Sequence, residues 1–383
     1  MTSAIADSLE RFVRECVIPS ESAFAAEGGV DTARSSTLTG LQDEARERGL
    51  WNLFSSAHPS AALRDLIVLP DLAELVGLSP ILAQAALHAL NPDALVMELL
   101  TALGTDEQRD RWLPRLTDGA IASGYCMSEP DVASSDPRSL RMEAKRSGDG
   151  FLVSGRKSWC TGASTPGCRF LVVVAVTEPE ADPRRRHSLL LVERNDPGVK
   201  VVAERRVLGY SDALRGGHPD IEFQQARGQL LGAAGDGLSA AQQVLGPARM
   251  LHSMRLVGTA ERALGLMTAR LGARNVGGRA LASSDLWIDR VGGARIDVEG
   301  IRALVRAMVT HPDRALAESI VKAHVPGAVA RIVDLAIQAH GADGLSSTTI
   351  LADLYAHARS LQISDGPDEV HRRVVGRREL RAR

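Results

Sequence analysis

The feature that most constrains this chain is a change of hydrophobic period. Up to about residue 119, and again from about residue 229, apolar residues recur three and four positions apart, as on an amphipathic helix. Between 120 and 228 they gather instead into short β-type runs at 121–127, 151–154, 170–176, 188–193, 200–203 and 221–224. Turn clusters such as Gly148-Asp-Gly and Asn195-Asp-Pro-Gly separate them. The expected fold is therefore mainly α with a central β domain, the β part a small antiparallel barrel or sandwich. Expected boundaries are 1–119, 120–228 and 229–383.

The helical thirds carry more detail. Val291, Ala294, Val298, Ile301, Val305 and Met308 form one apolar stripe. Val321, Val325, Ala328, Ile332, Leu335 and Ala339 form a second, in which Pro326 should introduce a kink. Two such stripes in tandem suit neighbours in a four-helix bundle. Thr105 with Gln108 three residues on reads as a capping box. Breaks are expected at Pro19, Gly28-Gly29, His58-Pro59, Pro70, Pro80 and Asn91-Pro92, and Gly246-Pro247 reads as the start of a helix. The N-terminal stripe of Ile5, Leu9, Phe12 and Cys16, interleaved with Asp7, Glu10 and Glu15, is that of an ordinary helix and not a transit peptide.

Charge narrows the partners. The formal net charge is −2, so nothing draws the whole chain to nucleic acid or an anionic membrane. Four of the 45 basic residues are Lys and the rest are Arg; the six Arg within 372–383 read as a solvated helix face and tail. Arg184-Arg185-Arg186 should lie on an exposed excursion over 178–187. Cys16, Cys126, Cys160 and Cys168 have no CxxC spacing and read as reduced thiols, and the apolar run 170–176 is too short to span a bilayer. A soluble, cytoplasmic protein is expected. No histidine has a metal-site spacing. GFLVSGRKS at 150–158 misses a phosphate-binding loop by one residue and lies between β-type runs, so it is rejected. Gly232, Gly235 and Gly237 follow no βαβ unit, which argues against a dinucleotide fold of the Rossmann type.

Three stretches could carry chemistry. Asp365-Gly366-Pro367 places a carboxylate on a turn before a helix, where it is either a base or simply a helix cap. The stretch from Tyr125 to Asp136, YCMSEPDVASSD, offers hydroxyls and backbone donors. In GRKSWCT, residues 155–161, Trp159 stands two residues from Thr161, so on a strand both would face one side, a wide ring beside a hydroxyl.

These stretches resemble the motifs of the acyl-CoA dehydrogenase family. EPDVASSD is similar to its "TEPxxGSD", GRKSWCT to "GxKxWIT", Gln338-Ala-His-Gly-Ala-Asp-Gly344 to "QxxGGxG", and Asp365-Gly366 falls at its catalytic "EG". The order and spacing cover essentially the whole chain. The resemblance implies an N-terminal helical domain, a β-barrel middle domain and a C-terminal four-helix bundle, with FAD as cofactor. It implies Asp365 as the base that removes the α-proton of an acyl-CoA while the β-hydrogen leaves as hydride. Tyr125, Met127, Ser128, Ser135, Trp159 and Thr161 would line the flavin; Ala342, Pro367 and Glu369 match further cofactor positions. Arg274 and Gln338 match residues that reach the FAD of a neighbouring subunit, so a homodimer or homotetramer is implied. Ser135, Arg249 and Gly366 would contact substrate, and an electron-transfer flavoprotein would accept the electrons. Four departures stand out: Asp365 replaces the usual Glu, Pro367 a Thr, Ala342 a Gly, and Gly277 the usual aromatic. EPDVASSD, GPxR at 246–249 and DGPDEVH together resemble one branch of the family. That branch also admits elimination of a phosphorylated 4-hydroxyl from an acyl-CoA without net oxidation.

Overall fold

The computed structural model describes residues 2–56, 58 and 68–381. Helices come first: α1 (Thr2–Arg11), α2 (Ile18–Ala26), α3 (Ser36–Glu47), α4 (Leu69–Gly77), α5 (Leu82–Ala86), α6 (Asp93–Leu103) and α7 (Asp106–Thr117). Seven strands follow: β1 (Ala122–Cys126), β2 (Glu143–Ser147), β3 (Gly150–Lys157), β4 (Cys168–Val176), β5 (His187–Glu193), β6 (Val199–Arg205) and β7 (His218–Leu231). Then come α8 (Gly237–Ala273), a short hairpin of β8 (Asn275–Val276) and β9 (Arg279–Ala280), α9 (Asp285–Val309), α10 (Arg314–His340), α11 (Leu351–Ser360) and α12 (Asp368–Arg381). The fold is mainly α with a central, barrel-like β sheet. Among the described residues no helix is long and apolar enough to cross a membrane. Pro59, half of the expected break at His58-Pro59, lies outside the described residues.

The chain forms two compact units. One comprises Ala26–His58 and Ala85–Leu245 and holds the sheet. Its strands pair in a ring, β4 to β2, β2 to β3, β3 to β7, β7 to β5 and β5 back to β4, with β1 added to β4 and β6 to β7. Strand β4 explains the chain's longest apolar run, because both of its faces are buried. Phe170, Val172 and Val174 face α6 and α7, where Trp112 packs on Phe170 at 4.7 Å between ring centroids. Leu171, Val173 and Ala175 face the barrel interior beside Phe151, Val153, Leu190, Ile221 and Phe223. Helix α7 opens with the expected Thr105–Gln108 capping box. Helix α6 is tied to β1 by Asp93, which accepts hydrogen bonds from the Ser123 N–H (2.7 Å) and hydroxyl (2.6 Å). Burial raises the Asp93 carboxyl to about 6.

The sheet differs from expectation in two ways. It is mixed: β1 runs parallel to β4, and β2 meets β4 in parallel at Glu143 and Val176. Strand β2 escapes sequence reading because Glu-Ala-Lys-Arg-Ser buries one side chain, Ala144, and leaves the rest in solvent. GFLVSGRKS forms β3 and the residue after it, as its place between β-type runs required. The excursion over 178–187 is exposed at Arg184 and Arg185.

The second unit comprises Met1–Ala25, Pro59–Gln84 and Gly246–Arg383. Leu9 and Phe12 of the N-terminal stripe are buried, and residues 12–17 wind as a wider π-helix. Helix α10 is central, packing along α9, α11 and α12. Val321, Val325, Ala328 and Ile332 from its stripe are buried, as are Ala294, Val298, Ile301 and Val305 from the stripe of α9. Helices α4 and α8 cross backbone to backbone. A Cβ on Gly77 would fall 1.8 Å from the Arg255 carbonyl oxygen, and one on Gly258 would fall 1.9 Å from that of Glu74. Gly246-Pro247 does not open a helix; Pro247 lies inside α8, ten residues after its start at Gly237. Gly246 lies against Glu318, whose carboxylate oxygens would both stand 2.6 Å from a Cβ there and would have to move aside for one.

Candidate active site

Asp365 ends the turn between α11 and α12. Its backbone is left-handed (φ 57°), and Gly366 continues at φ 99°. Asp tolerates this region better than most residues, and Gly at no steric cost. A side chain on Gly366 would also strike His371, whose Nε2 lies 2.9 Å from the Cβ position. Such strain persists where surrounding contacts over-determine it. Here the Asp365 carbonyl accepts from Arg249 Nε (2.9 Å) and His371 Nε2 (3.2 Å), filling both of its lone pairs. The Gly366 carbonyl accepts from Lys322 Nζ at 3.0 Å. The carboxylate itself is 22% exposed, with Oδ2 3.7 Å from His252 Nε2. No acceptor for the Asp365 N–H appears among the described residues. Asp365 is thus not a helix cap; its backbone is clamped and its carboxylate left partly exposed.

Electrostatics follow from this geometry. Burial pushes the Asp365 carboxyl above its ordinary value, against the pull of Arg249, Lys322 and His371. A carboxylate so placed is a stronger base than an exposed one. Burial lowers His371 to about 4, so at neutral pH its imidazole is uncharged and donates from Nε2. Glu318 and Asp368 are likewise raised by burial.

Of the other expected residues in this unit, Gly366 and Pro367 belong to the clamped turn, and Arg249 donates from Nε to the Asp365 carbonyl. Glu369 points to solvent and pairs with Arg372 at 2.8 Å. Arg274, Gln338 and Ala342 are exposed and gather at the opposite end of the helices. There Arg270 of α8 bonds Asp343 (3.0 Å) and the His340 carbonyl (3.3 Å). From Arg249 to Arg270 the helix rises about 30 Å. One small ligand within this unit cannot touch both ends.

The sheet unit assembles a second group. Lys157 is wholly buried; its ammonium donates to the Met127 carbonyl and to Glu129 Oε1, both at 2.8 Å. Glu129 also accepts from the N–H groups of Arg141 (2.8 Å) and Met142 (3.0 Å). This buried pair fixes the loop after β1 to the end of β3. The Ser158 N–H bonds the Ser128 carbonyl (2.9 Å) and the Tyr125 N–H bonds the Thr161 carbonyl (2.9 Å), so Tyr125, Met127, Ser128, Trp159 and Thr161 lie together. Ser135 is exposed farther along the loop. Trp159 and Thr161 do not share a strand face: β3 ends at Lys157, and Trp159 has a left-handed backbone (φ 56°). Trp159 is 46% exposed there. The ring leans on His218 at 5.9 Å, and His218 joins Thr161 Oγ1 (3.1 Å) to Asp212 (2.9 Å). An exposed indole on a strained backbone, beside an oriented hydroxyl, fits a flat heteroaromatic ligand.

Sequence reading missed His252, Lys322 and His371 around the carboxylate, and His218 with Asp212. One signal was available. Two of the four lysines, Lys157 and Lys322, are buried, and a chain that otherwise uses Arg keeps Lys where a compact point charge fits.

Comparison with known proteins bears on both groups. Residues 124–225 match the family profile for the acyl-CoA dehydrogenase middle domain, and residues 235–380 that for its C-terminal domain. The chain is 39% identical to "Probable acyl-CoA dehydrogenase FadE2" of Mycobacterium tuberculosis, over 97% of this chain and 93% of that protein. It is 35% identical to human "Acyl-CoA dehydrogenase family member 11" over 97% of this chain, and spans 49% of that longer protein. A solved structure, "Structure of a putative acyl-CoA dehydrogenase from Mycobacterium abscessus", superposes with a TM-score of 0.92 at 34% identity, covering 100% of this chain and 98% of that one.

Proposed function

We propose that this chain, which belongs to the acyl-CoA dehydrogenase family of oxidoreductases, α,β-dehydrogenates an acyl-CoA with Asp365 as the base. The observation that carries this reading is the clamped Asp365 turn. Its carbonyls are held by Arg249, His371 and Lys322, and its carboxylate, made more basic by burial, stays partly exposed. Asp365 removes the α-proton of the thioester. As charge develops on the thioester oxygen, the Asp365 N–H, with no acceptor among the described residues, can serve as a donor. FAD, when bound, supplies the acceptor for the β-hydrogen as hydride. Trp159, Thr161, Tyr125, Met127 and Ser128 are the residues to hold it, the indole against its ring and the Thr161 hydroxyl oriented by His218.

Arg274, Gln338 and Ala342 lie too far along the helices to share a ligand with Asp365 in the same unit. This supports a homo-oligomer in which they complete a neighbour's cofactor site. An electron-transfer flavoprotein is the proposed acceptor. The test is an anaerobic absorbance spectrum of the purified protein before and after a panel of acyl-CoAs. A flavin spectrum bleached by one of them is expected. An unbleached flavin, with phosphate released from a 4-phosphoacyl-CoA, would replace dehydrogenation with elimination at the same Asp365. A protein that binds no flavin after reconstitution would overturn both.

A further inference from the structure

Lys322 is the least explained charge in the helical unit. Its side chain is 1% exposed, on the apolar stripe face of α10 beside Val321 and Val325. Burying an ammonium costs several kcal/mol unless partners compensate. Among the described residues it has two: the Gly366 carbonyl at 3.0 Å and Asp368 Oδ1 at 3.7 Å. Both flank the turn of Asp365, and neither partner lies elsewhere in the unit. A lysine whose role was only to join α10 to α12 could satisfy itself on Asp368 alone. This one donates to the carbonyl that the left-handed Gly366 turns toward it.

We infer that Lys322 is a positioning residue for Asp365. From α10 it holds the Gly366 peptide in the orientation that, with Arg249 and His371 on the preceding carbonyl, aims the Asp365 carboxylate at its substrate. The inference rests on the reading of Asp365 as the base. The carboxylate is faced by Arg249 and His252 from α8, Lys322 from α10, and His371 from its own side of the turn; Asp368 on α12 pairs with Lys322, and Glu318 on α10 lies beside Gly246 and acts on Arg249. Lys322 therefore has two separable effects. Its hydrogen bond fixes the geometry. Its charge favours ionised Asp365 and opposes the effect of burial.

The experiment reads exchange of the acyl-CoA α-proton with solvent deuterium, by NMR, on flavin-loaded protein across a pH series. It reports the base directly, whether or not net oxidation follows. Lys322→Met should slow exchange by about 10- to 100-fold through misplacement of the carboxylate, with substrate affinity little changed. Its acid limb should move to higher pH, because loss of the cation makes Asp365 harder to ionise. Lys322→Gln, which keeps a donor without charge, should recover much of the rate but keep the displaced limb. Lys322→Met with Asp368→Asn avoids burying a lone carboxylate, so the test survives if the single variant folds poorly. Circular dichroism and flavin content establish folding. Folded variants with the wild-type rate and acid limb would overturn the inference, as would Lys322→Gln matching Lys322→Met in rate. If Asp365→Asn itself exchanged at the wild-type rate, the failure would lie with the base and not with Lys322.

Discussion

Lys157→Met tests whether the buried ion pair holds the sheet unit's loop. The substitution removes the cation from a site where Lys157 is fully buried and Glu129 is nearly so. Glu129 keeps the Arg141 and Met142 N–H donors but loses its countercharge, while the Met127 carbonyl loses its donor. Breaking one side of a buried pair costs about 3–5 kcal/mol. In a unit of this size each kcal/mol lowers the melting temperature by about 2–4 °C. A fall of roughly 6–20 °C is therefore expected in a thermal melt followed by circular dichroism at neutral pH. Lys157→Met with Glu129→Gln should recover a large part of it, since the amide need not carry an uncompensated charge. A single variant melting within about 2 °C of wild type would refute the reasoning. So would a double variant no more stable than the single one, because the loss would then come from packing and not from the stranded carboxylate.

Three further outcomes are expected. Asp365→Asn should lower α-proton exchange by about 10²–10⁴-fold; in the wild type, exchange should fall as pH drops through a carboxyl value above that of ordinary Asp, and an acid limb at ordinary Asp values would count against burial of the site. Asp93 ionises near 6 in the fold instead of about 3.8, so its stabilising contribution is present below pH 3.8 and is lost as pH rises through 6. Asp93→Asn should then be more stable than wild type at pH 8, by an amount on the order of 3 kcal/mol, and chemical denaturation at pH 4 and pH 8 reads the difference. Gly258→Ala should destabilise the helical unit by about 3 kcal/mol or more, because its methyl group would meet the Glu74 carbonyl where no side chain can rotate away; a wild-type denaturation midpoint would show that α4 and α8 can part without cost.

Much of the architecture was legible because periodicity reports burial directly. Strand β4 announced itself as an unbroken apolar run since both faces are covered, and α9 and α10 since one stripe of each is. Strand β2 was silent, as a strand with one buried side chain has no alternation to read. Pro247 misled because Pro is read as punctuation, whereas an established helix can carry it. At the site, the sequence exposed what is contiguous. Asp365-Gly366-Pro367 signals its turn through local dihedral preference. Arg249, Lys322 and His371 bond that turn from three helices, and no local pattern ties positions 116 and 44 residues away to it. The Trp159–Thr161 pair failed differently: alternation was assumed through a segment whose backbone reverses hand at the first residue.

The distribution of lysine has a practical consequence. Lys145 and Lys200 stand in solvent, while Lys157 lies in the sheet unit and Lys322 in the helical unit, both sealed from it. An amine-reactive reagent applied to the native protein will tag the first two at once. It can reach each of the others only when the unit around it opens. Mass spectrometry of that labelling over time therefore yields two independent clocks, one per unit, with no residue introduced to carry them.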